Sequence, residues 1–290
     1  MSDTTAIAAG IARLTAPNPS AMTDRGTNTY LVGTDTITIV DPGPASDAHL
    51  AAILAVLRGR RVGHIVVTHA HRDHSALAPA LSRVTGAPVC GHSGPRICPA
   101  MARAVRRGLT GGGEGIDPDH RIDVALVDGG SVGTGDAELS VIHTPGHLGD
   151  HICLAREGVC LTGDHVMGWS STLVSPPEGC MACHVASLHR LAVRDWSLLL
   201  PGHGDAVTDP AARLAALIAH RASREAAIRA EIARAPATPA AIARTLYADT
   251  PAALHGAATR NVLAHLIALE DAGNATSDGP PGPDTPYRAP

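Results

Sequence analysis

The chain has 290 residues, 44% of them hydrophobic, and a net charge of −4. That length accommodates one large domain, or one large and one small. The negative balance argues against a general affinity for nucleic acid or anionic membranes, leaving room only for a local basic groove. Aromatic residues make up 2%, Phe and Lys are absent, and the core must therefore be built from Ala, Val, Leu and Ile.

Met1-Ser2-Asp3-Thr4-Thr5 lacks the charged and apolar regions of a leader, and no stretch approaches 18 apolar residues. A soluble cytoplasmic protein with reduced cysteines is expected. Residues 1–27 open with a Pro-rich polar segment. Asn28–Val32 and Thr36–Val40 form two short strands around a Gly33-Thr34-Asp35 turn, and Asp41-Pro42-Gly43-Pro44 stops the second. Ser46 or Asp47 caps a helix carrying Leu50, Ile53, Leu54 and Leu57 on one face. His64–Thr68 is a buried strand, Ala76–Val84 a helix, and Pro88-Val89-Cys90 a strand. Residues 91–121, rich in Gly, Pro and Arg, are expected to be a mobile surface excursion. Short runs over 122–164 predict antiparallel strands, followed by helix Ala186–Val193 and strand Ser197–Leu200.

Asp209 with Pro210 opens a long helix to about Ala233, and two more helices follow, at about Ala240–Tyr247 and Gly256–Ala272. The expected division is a catalytic domain over 1–208, a helical or winged-helix domain over 209–273, and a disordered tail over 274–290.

Chemistry concentrates at Thr68-His69-Ala70-His71-Arg72-Asp73-His74, where a buried strand ends in three histidines and an aspartate within six positions. Imidazole nitrogen and carboxylate oxygen are the donors that a borderline ion such as Zn²⁺ accepts. His147 (after Pro145-Gly146), Asp164 (after Gly163) and His203 (after Pro201-Gly202) repeat the design of apolar run, small residue and ligand. Seven donors exceed one tetrahedral ion and suit two ions about 4 Å apart.

The His69-x-His71-x-Asp73-His74 run resembles the signature of the metallo-β-lactamase superfamily, with His147, Asp164 and His203 in its order. The resemblance implies an α+β fold, an αββα sandwich with the site at its loop edge. It also implies two zinc ions, one on His69, His71 and His147 and the other on Asp73, His74 and His203, with Asp164 bridging and a bridging hydroxide as nucleophile. Asp73 and Asp164 are then the catalytic carboxylates, and iron or manganese the alternative ions. Asp24–Gly33, Asp41–Pro44, Gly163–Trp169 and the C-terminal run from Leu246 to Glu270 resemble the branch named after beta-lactamase-like protein 2, with its winged-helix extension.

That branch implies a phosphodiesterase acting on single-stranded RNA, for which Arg213, Arg221, Arg224, Arg229 and Arg234 would supply a basic strip. The scarcity of aromatic residues for base stacking counts against it. The alternatives are a thioester or lactone hydrolase on a small acyl substrate, and a non-hydrolytic metal-binding or redox module. His165, Trp169, Arg221 and Arg224 are the candidate substrate contacts. Cys180-Met181-Ala182-Cys183-His184 matches the haem c attachment pattern, but attachment requires export, so haem is not expected and reduced thiols at a helix start are.

Overall fold

The computed structural model describes residues 5–290; most of the segment on which the leader reading rests, residues 1–4, lies outside them. The first sheet has seven strands in sequence order: β1 (Thr5–Ala8), β2 (Ile11–Thr15), β3 (Asn28–Val32), β4 (Thr36–Val40), β5 (Arg61–Val66), β6 (Val89–His92) and β7 (Val124–Leu126). Pairing is antiparallel from β1 to β4 and parallel from β4 to β7. Parallel neighbours need crossovers. Helices α1 (Asp47–Leu57), α2 (Arg72–Ser75), α3 (Ala78–Thr85) and α4 (Pro99–Arg106) lie in those connections.

The second sheet comprises β8 (Ser131–Val132), β9 (Leu139–His143), β10 (Ile152–Arg156), β11 (Val159–Gly163) and β12 (Leu198–Pro201), in the order β12-β11-β10-β9-β8. Only β11–β12 is parallel, and α5 (Met181–Ala192) crosses between them.

Side chains sort between layers with the period of two that strands impose. Tyr30, Val32, Val40 and Val66 face Val141, Ile152 and Leu154 between the sheets. Their chain neighbours Leu31, Ile39 and Ile65 face the other way, onto Ile53 and Leu57 of α1 and Leu81 of α3. On the far side, Cys153 and Cys160 pack under Leu188 and Leu191 of α5 and Leu214 and Leu217 of α6 (Pro210–Arg234). This is the expected αββα sandwich.

The C-terminal winged-helix part contains α7 (Pro239–Leu246), α8 (His255–Asp271) and a hairpin of β13 (Thr276–Ser277) and β14 (Tyr287–Arg288). Helix α6 serves both halves: Leu214 and Leu217 belong to the sandwich, while Ile228 and Ile232 join the C-terminal core.

The N-terminal segment, for which no element is expected by name, contains strands β1 and β2, which extend the first sheet. Two expectations change. The stretch 91–121 is anchored rather than loose. Met101, Ala104 and Leu109 sit in the C-terminal core, and Arg103 and Arg107 pair with Asp271 and Glu270 at the end of α8. Residues 274–290 are ordered: Tyr287 is fully buried and exchanges two 2.9 Å backbone hydrogen bonds with Ala237. Low apolar periodicity hid both segments, because each contributes only a few anchors.

Candidate metal centre

The seven predicted donors converge at one edge of the sandwich. His69, His71, His147 and Asp164 form one group, and Asp73, His74 and His203 a second, with donor atoms inside each group within 4.8 Å of one another. All seven lie at or just beyond the ends of strands or on the first turn of a helix, where the backbone leaves the sheet and side chains can turn inward.

Within the first group, His71 Nδ1 is 3.0 Å from His69 Nε2 and 2.9 Å from His147 Nε2. In the second, His74 Nε2 and His203 Nε2 are 3.3 Å apart, and Asp73 Oδ2 is 3.4 and 3.3 Å from them. Asp164 reaches both groups. Its Oδ2 lies 3.7 Å from His147 Nε2, 3.9 Å from His69 Nε2 and 3.3 Å from His203 Nε2, and its Oδ1 lies 3.3 Å from His74 Nε2.

The tautomers follow from the other ring nitrogens. His147 Nδ1 faces the carbonyl of Leu173 at 2.7 Å, and His203 Nδ1 the carbonyl of Gly26 at 3.2 Å. A carbonyl only accepts, so each Nδ1 carries the hydrogen, and in the neutral ring Nε2 keeps its lone pair. His74 Nδ1 donates to Asp41 Oδ2 at 2.9 Å. His69 Nδ1 donates to the Thr68 hydroxyl at 3.0 Å, which itself donates to Asp41 Oδ2 at 2.8 Å. Asp41 thus orients two donors, in the carboxylate–histidine arrangement usual behind metal ligands.

His69 and His147 thus aim their Nε2 lone pairs at one point beside His71 Nδ1, an arrangement that a cation among the three nitrogens satisfies. A tetrahedral ion about 2.0–2.1 Å from each nitrogen would set them about 3.3 Å apart. Asp164 Oδ1 is buried without a hydrogen-bond partner among the described residues, which also suits a cation. The donor set therefore fits divalent metal.

Electrostatics divides the centre. Burial pushes His69, His71 and His147 down, His71 to about 3, so neutral imidazole is favoured there. Burial opposes charge on His74 and His203 as well, yet Asp164 and Asp73 overcome it, helped at His74 by Asp41. His74 is held well above the ordinary histidine value and His203 is raised to about 9. The second half carries surplus negative charge and attracts positive charge.

Supporting residues that sequence reasoning did not single out are Asp41, Thr68, Thr27 and His151. Thr27 donates to Asp73 Oδ2 at 3.1 Å. His151 accepts the Asp164 backbone N–H at 3.2 Å while its Nδ1 lies 2.9 Å from the Thr144 hydroxyl. Asp41 carried a legible signal, since it too ends a buried strand before Pro-Gly. His151 carried none.

The candidate substrate contacts are placed otherwise than expected. His165 is buried beneath the centre, 4.5 Å from the His184 ring, and burial takes its pKa to about 3. Trp169 stands 44% exposed beside a separate shallow hollow with Asp24 and Asp205. Arg221 is buried, donating to the Thr172 carbonyl at 2.6 Å. Arg224 donates to the Leu246 carbonyl at 3.0 Å and lies 4.6 Å over the Tyr247 ring. Arg213 donates to the carbonyls of Met167 and Ser170, and Arg234 pairs with Glu231. Arg229 is exposed, but with Arg213, Arg221 and Arg224 turned toward backbone carbonyls and Arg234 paired with Glu231, no continuous basic strip runs along the helix.

Five of the donors, His71, Asp73, His147, Asp164 and His203, form the floor of a cavity of about 740 Å³. Its walls include Met22, Ile116, Leu148, Met167 and Leu173, and α8 with its preceding turn closes it through Leu254 and Ala257. Gly113 to Ile116 form one side, held against the metal loop by Arg72 N–H to Gly115 O (2.8 Å) and Ser75 Oγ to Asp117 (2.8 Å).

An αββα sandwich with this donor set at its edge defines a class of metal-dependent hydrolase, and the chain belongs to the metallo-beta-lactamase superfamily, whose family pattern residues 22–218 match. More narrowly, residues 238–280 match the beta-lactamase associated winged helix domain. The chain is 28% identical over 281 residues to the Beta-lactamase-like protein 2 homolog of Drosophila melanogaster, covering 93% of this chain and 90% of that one. It is 30% identical to the Thioesterase pkgB of Emericella nidulans, covering 77% of this chain and 59% of that protein. Among solved structures, a Beta-lactamase domain protein from Burkholderia ambifaria superimposes with a TM-score of 0.79 at 26% identity, over 99% of this chain and 94% of that chain. No helix of the described residues is long and apolar enough to cross a membrane.

Proposed function

We propose that the protein hydrolyses a small acyl ester or thioester using two divalent ions, with zinc the best match to an all-nitrogen-and-oxygen donor set of this kind. His69, His71 and His147 would hold one ion and Asp73, His74 and His203 the other, with Asp164 between them. When bound, the pair supplies a water acidic enough to attack near neutral pH and positive charge for the developing oxyanion.

The observation that carries the substrate class is the wall of the cavity. Above the donors it is predominantly apolar, and three of the five arginines expected to guide a phosphate backbone, Arg213, Arg221 and Arg224, are engaged by backbone carbonyls. Apolar walls desolvate an acyl chain and orient its carbonyl toward the floor. Asp73, which accepts the Thr27 hydroxyl at Oδ2 and lines the cavity, would hold the second ion on the side from which substrate enters. Likeness to a protein named as a thioesterase supports the same reading.

The test compares zinc-loaded protein on acyl thioesters of increasing chain length, on a bis-aryl phosphodiester and on single-stranded RNA. Turnover should appear on thioesters and rise with acyl length. RNA cleavage without thioester turnover would sink the proposal.

A further inference from the structure

The C-x-x-C-H motif finds a partner that sequence spacing does not reveal. Cys98, from the stretch expected to be a mobile excursion, joins Cys180 and Cys183, and the three sulfurs lie within 4.8 Å of one another. We propose that these three thiols form a further metal site, separate from the two-group centre, that binds one Zn²⁺ ion and ties the start of α4 to the start of α5 beneath the C-terminal domain.

The local structure is built for thiolates. Cys98 is the N-cap of α4 and Cys180 the N-cap of α5, so two helix N-termini converge on one point and favour negative charge there. The Cys183 backbone N–H donates to Cys180 Sγ at 3.4 Å. Hydrogen bonding from Cys180 and Cys183, with the Met101 and Ala100 amides, draws Cys98 below the ordinary thiol range. The same contacts and burial raise Cys180 and push Cys183 up to about 11. Without a cation the cluster therefore favours a single thiolate, and a cation is what would hold all three sulfurs deprotonated. Zinc–sulfur bonds of about 2.3 Å place tetrahedral sulfurs about 3.8 Å apart, so the observed spacing needs little adjustment. A disulfide would use two of the sulfurs and strand the third beside two helix N-termini; one ion uses all three. Cys98 and Cys180 are buried, whereas Cys183 is partly exposed, giving an ion a way in and water a way to the fourth position. On binding, each thiol releases its proton to solvent.

The site's position gives it a consequence. Cys98 and Cys180 sit in the same core as Ile228 of α6, Val262 and Leu266 of α8 and Tyr287 of β14. An ion there would tie the starts of α4 and α5 together under the winged-helix domain.

The test is a metal count on desalted, zinc-loaded protein by native mass spectrometry. Wild type should carry one ion more per chain than Cys98→Ser, while Cys90→Ser, whose thiol lies between the sheets, should match wild type. Should Cys98→Ser fail to fold, Co²⁺ added to the intact chain should give a thiolate-to-cobalt charge-transfer band, which nitrogen and oxygen ligands do not produce. Equal ion counts in wild type and Cys98→Ser, or no such band, would overturn the proposal. So would a disulfide between any two of the three cysteines in anaerobically purified protein.

Discussion

Asp41 Oδ2 accepts a hydrogen bond from His74 Nδ1 at 2.9 Å, and the same carboxylate takes both the backbone N–H and the hydroxyl of Thr68 at 2.8 Å. One buried side chain therefore fixes the ring orientation of His74 directly and of His69 through Thr68. Asp41→Asn keeps the shape but weakens the acceptor and permits the wrong amide rotamer. Metal affinity should fall by roughly 10–100-fold, with activity following it. Metal titration of the variant checks this, and an unchanged affinity would remove Asp41 from the centre's support.

Gly202 is tolerated at its position only because it lacks a Cβ. A methyl group there would run into Asp164 Oδ1 and come within 2.7 Å of His74 Cε1 and 3.2 Å of the Gly163 carbonyl carbon. Gly202→Ala should displace the carboxylate that reaches both donor groups. Expected are loss of at least one bound ion and of turnover, measured by elemental analysis beside a circular dichroism spectrum that stays native-like.

His203, raised to about 9, holds its proton at neutral pH until an ion takes its place. Zinc added to metal-free protein in weak buffer should therefore release protons, and apparent affinity should rise with pH up to about 9. The sign for folding is opposite. The charged ring stabilises the metal-free fold fully below the ordinary histidine value of about 6.5, and that contribution is lost as pH rises through about 9. Denaturant titrations of metal-free protein across this window would show it, and His203→Ala should diminish both effects, leaving the share that His74 carries.

Arg221 spans from α6 to the Thr172 carbonyl, and the Thr172 hydroxyl lies 3.1 Å from His147 Nδ1. Arg221→Glu puts a buried carboxylate against a carbonyl oxygen, at a cost of at least about 3 kcal/mol. Activity should fall on every substrate, with a matching drop in urea midpoint. A stable variant impaired only on RNA would restore the basic strip.

Tyr287 is completely buried, and its hydroxyl has no hydrogen-bond partner among the described residues. Tyr287→Phe should therefore leave stability unchanged or raise it, whereas Tyr287→Ala should cost about 3–5 kcal/mol by emptying the C-terminal core. Thermal unfolding of the two variants separates packing from polarity.

Much of the sandwich was legible because its strands are short alternating runs that stop at Pro, Gly or Asp, as at Thr36–Val40 before Asp41-Pro42-Gly43. The seven candidate donors stood out for a related reason: each stands where a buried run ends or just beyond it, and the family resemblance supplied the edge at which they would meet. The sequence by itself thus pointed to two sheets with helices outside, to the candidate donors and to a helical C-terminal part. Only the tertiary structure decided what the remaining polar side chains do. An arginine on a helix reads as solvated until a distant carbonyl, Thr172 for Arg221 or Leu246 for Arg224, is seen to receive it. Cys98 reads as an isolated thiol until α4 and α5 bring their N-termini together. Periodicity reports which face of an element is buried, whereas hydrogen-bond and ligand partners depend on which loops meet there, and that is fixed by packing across the whole chain.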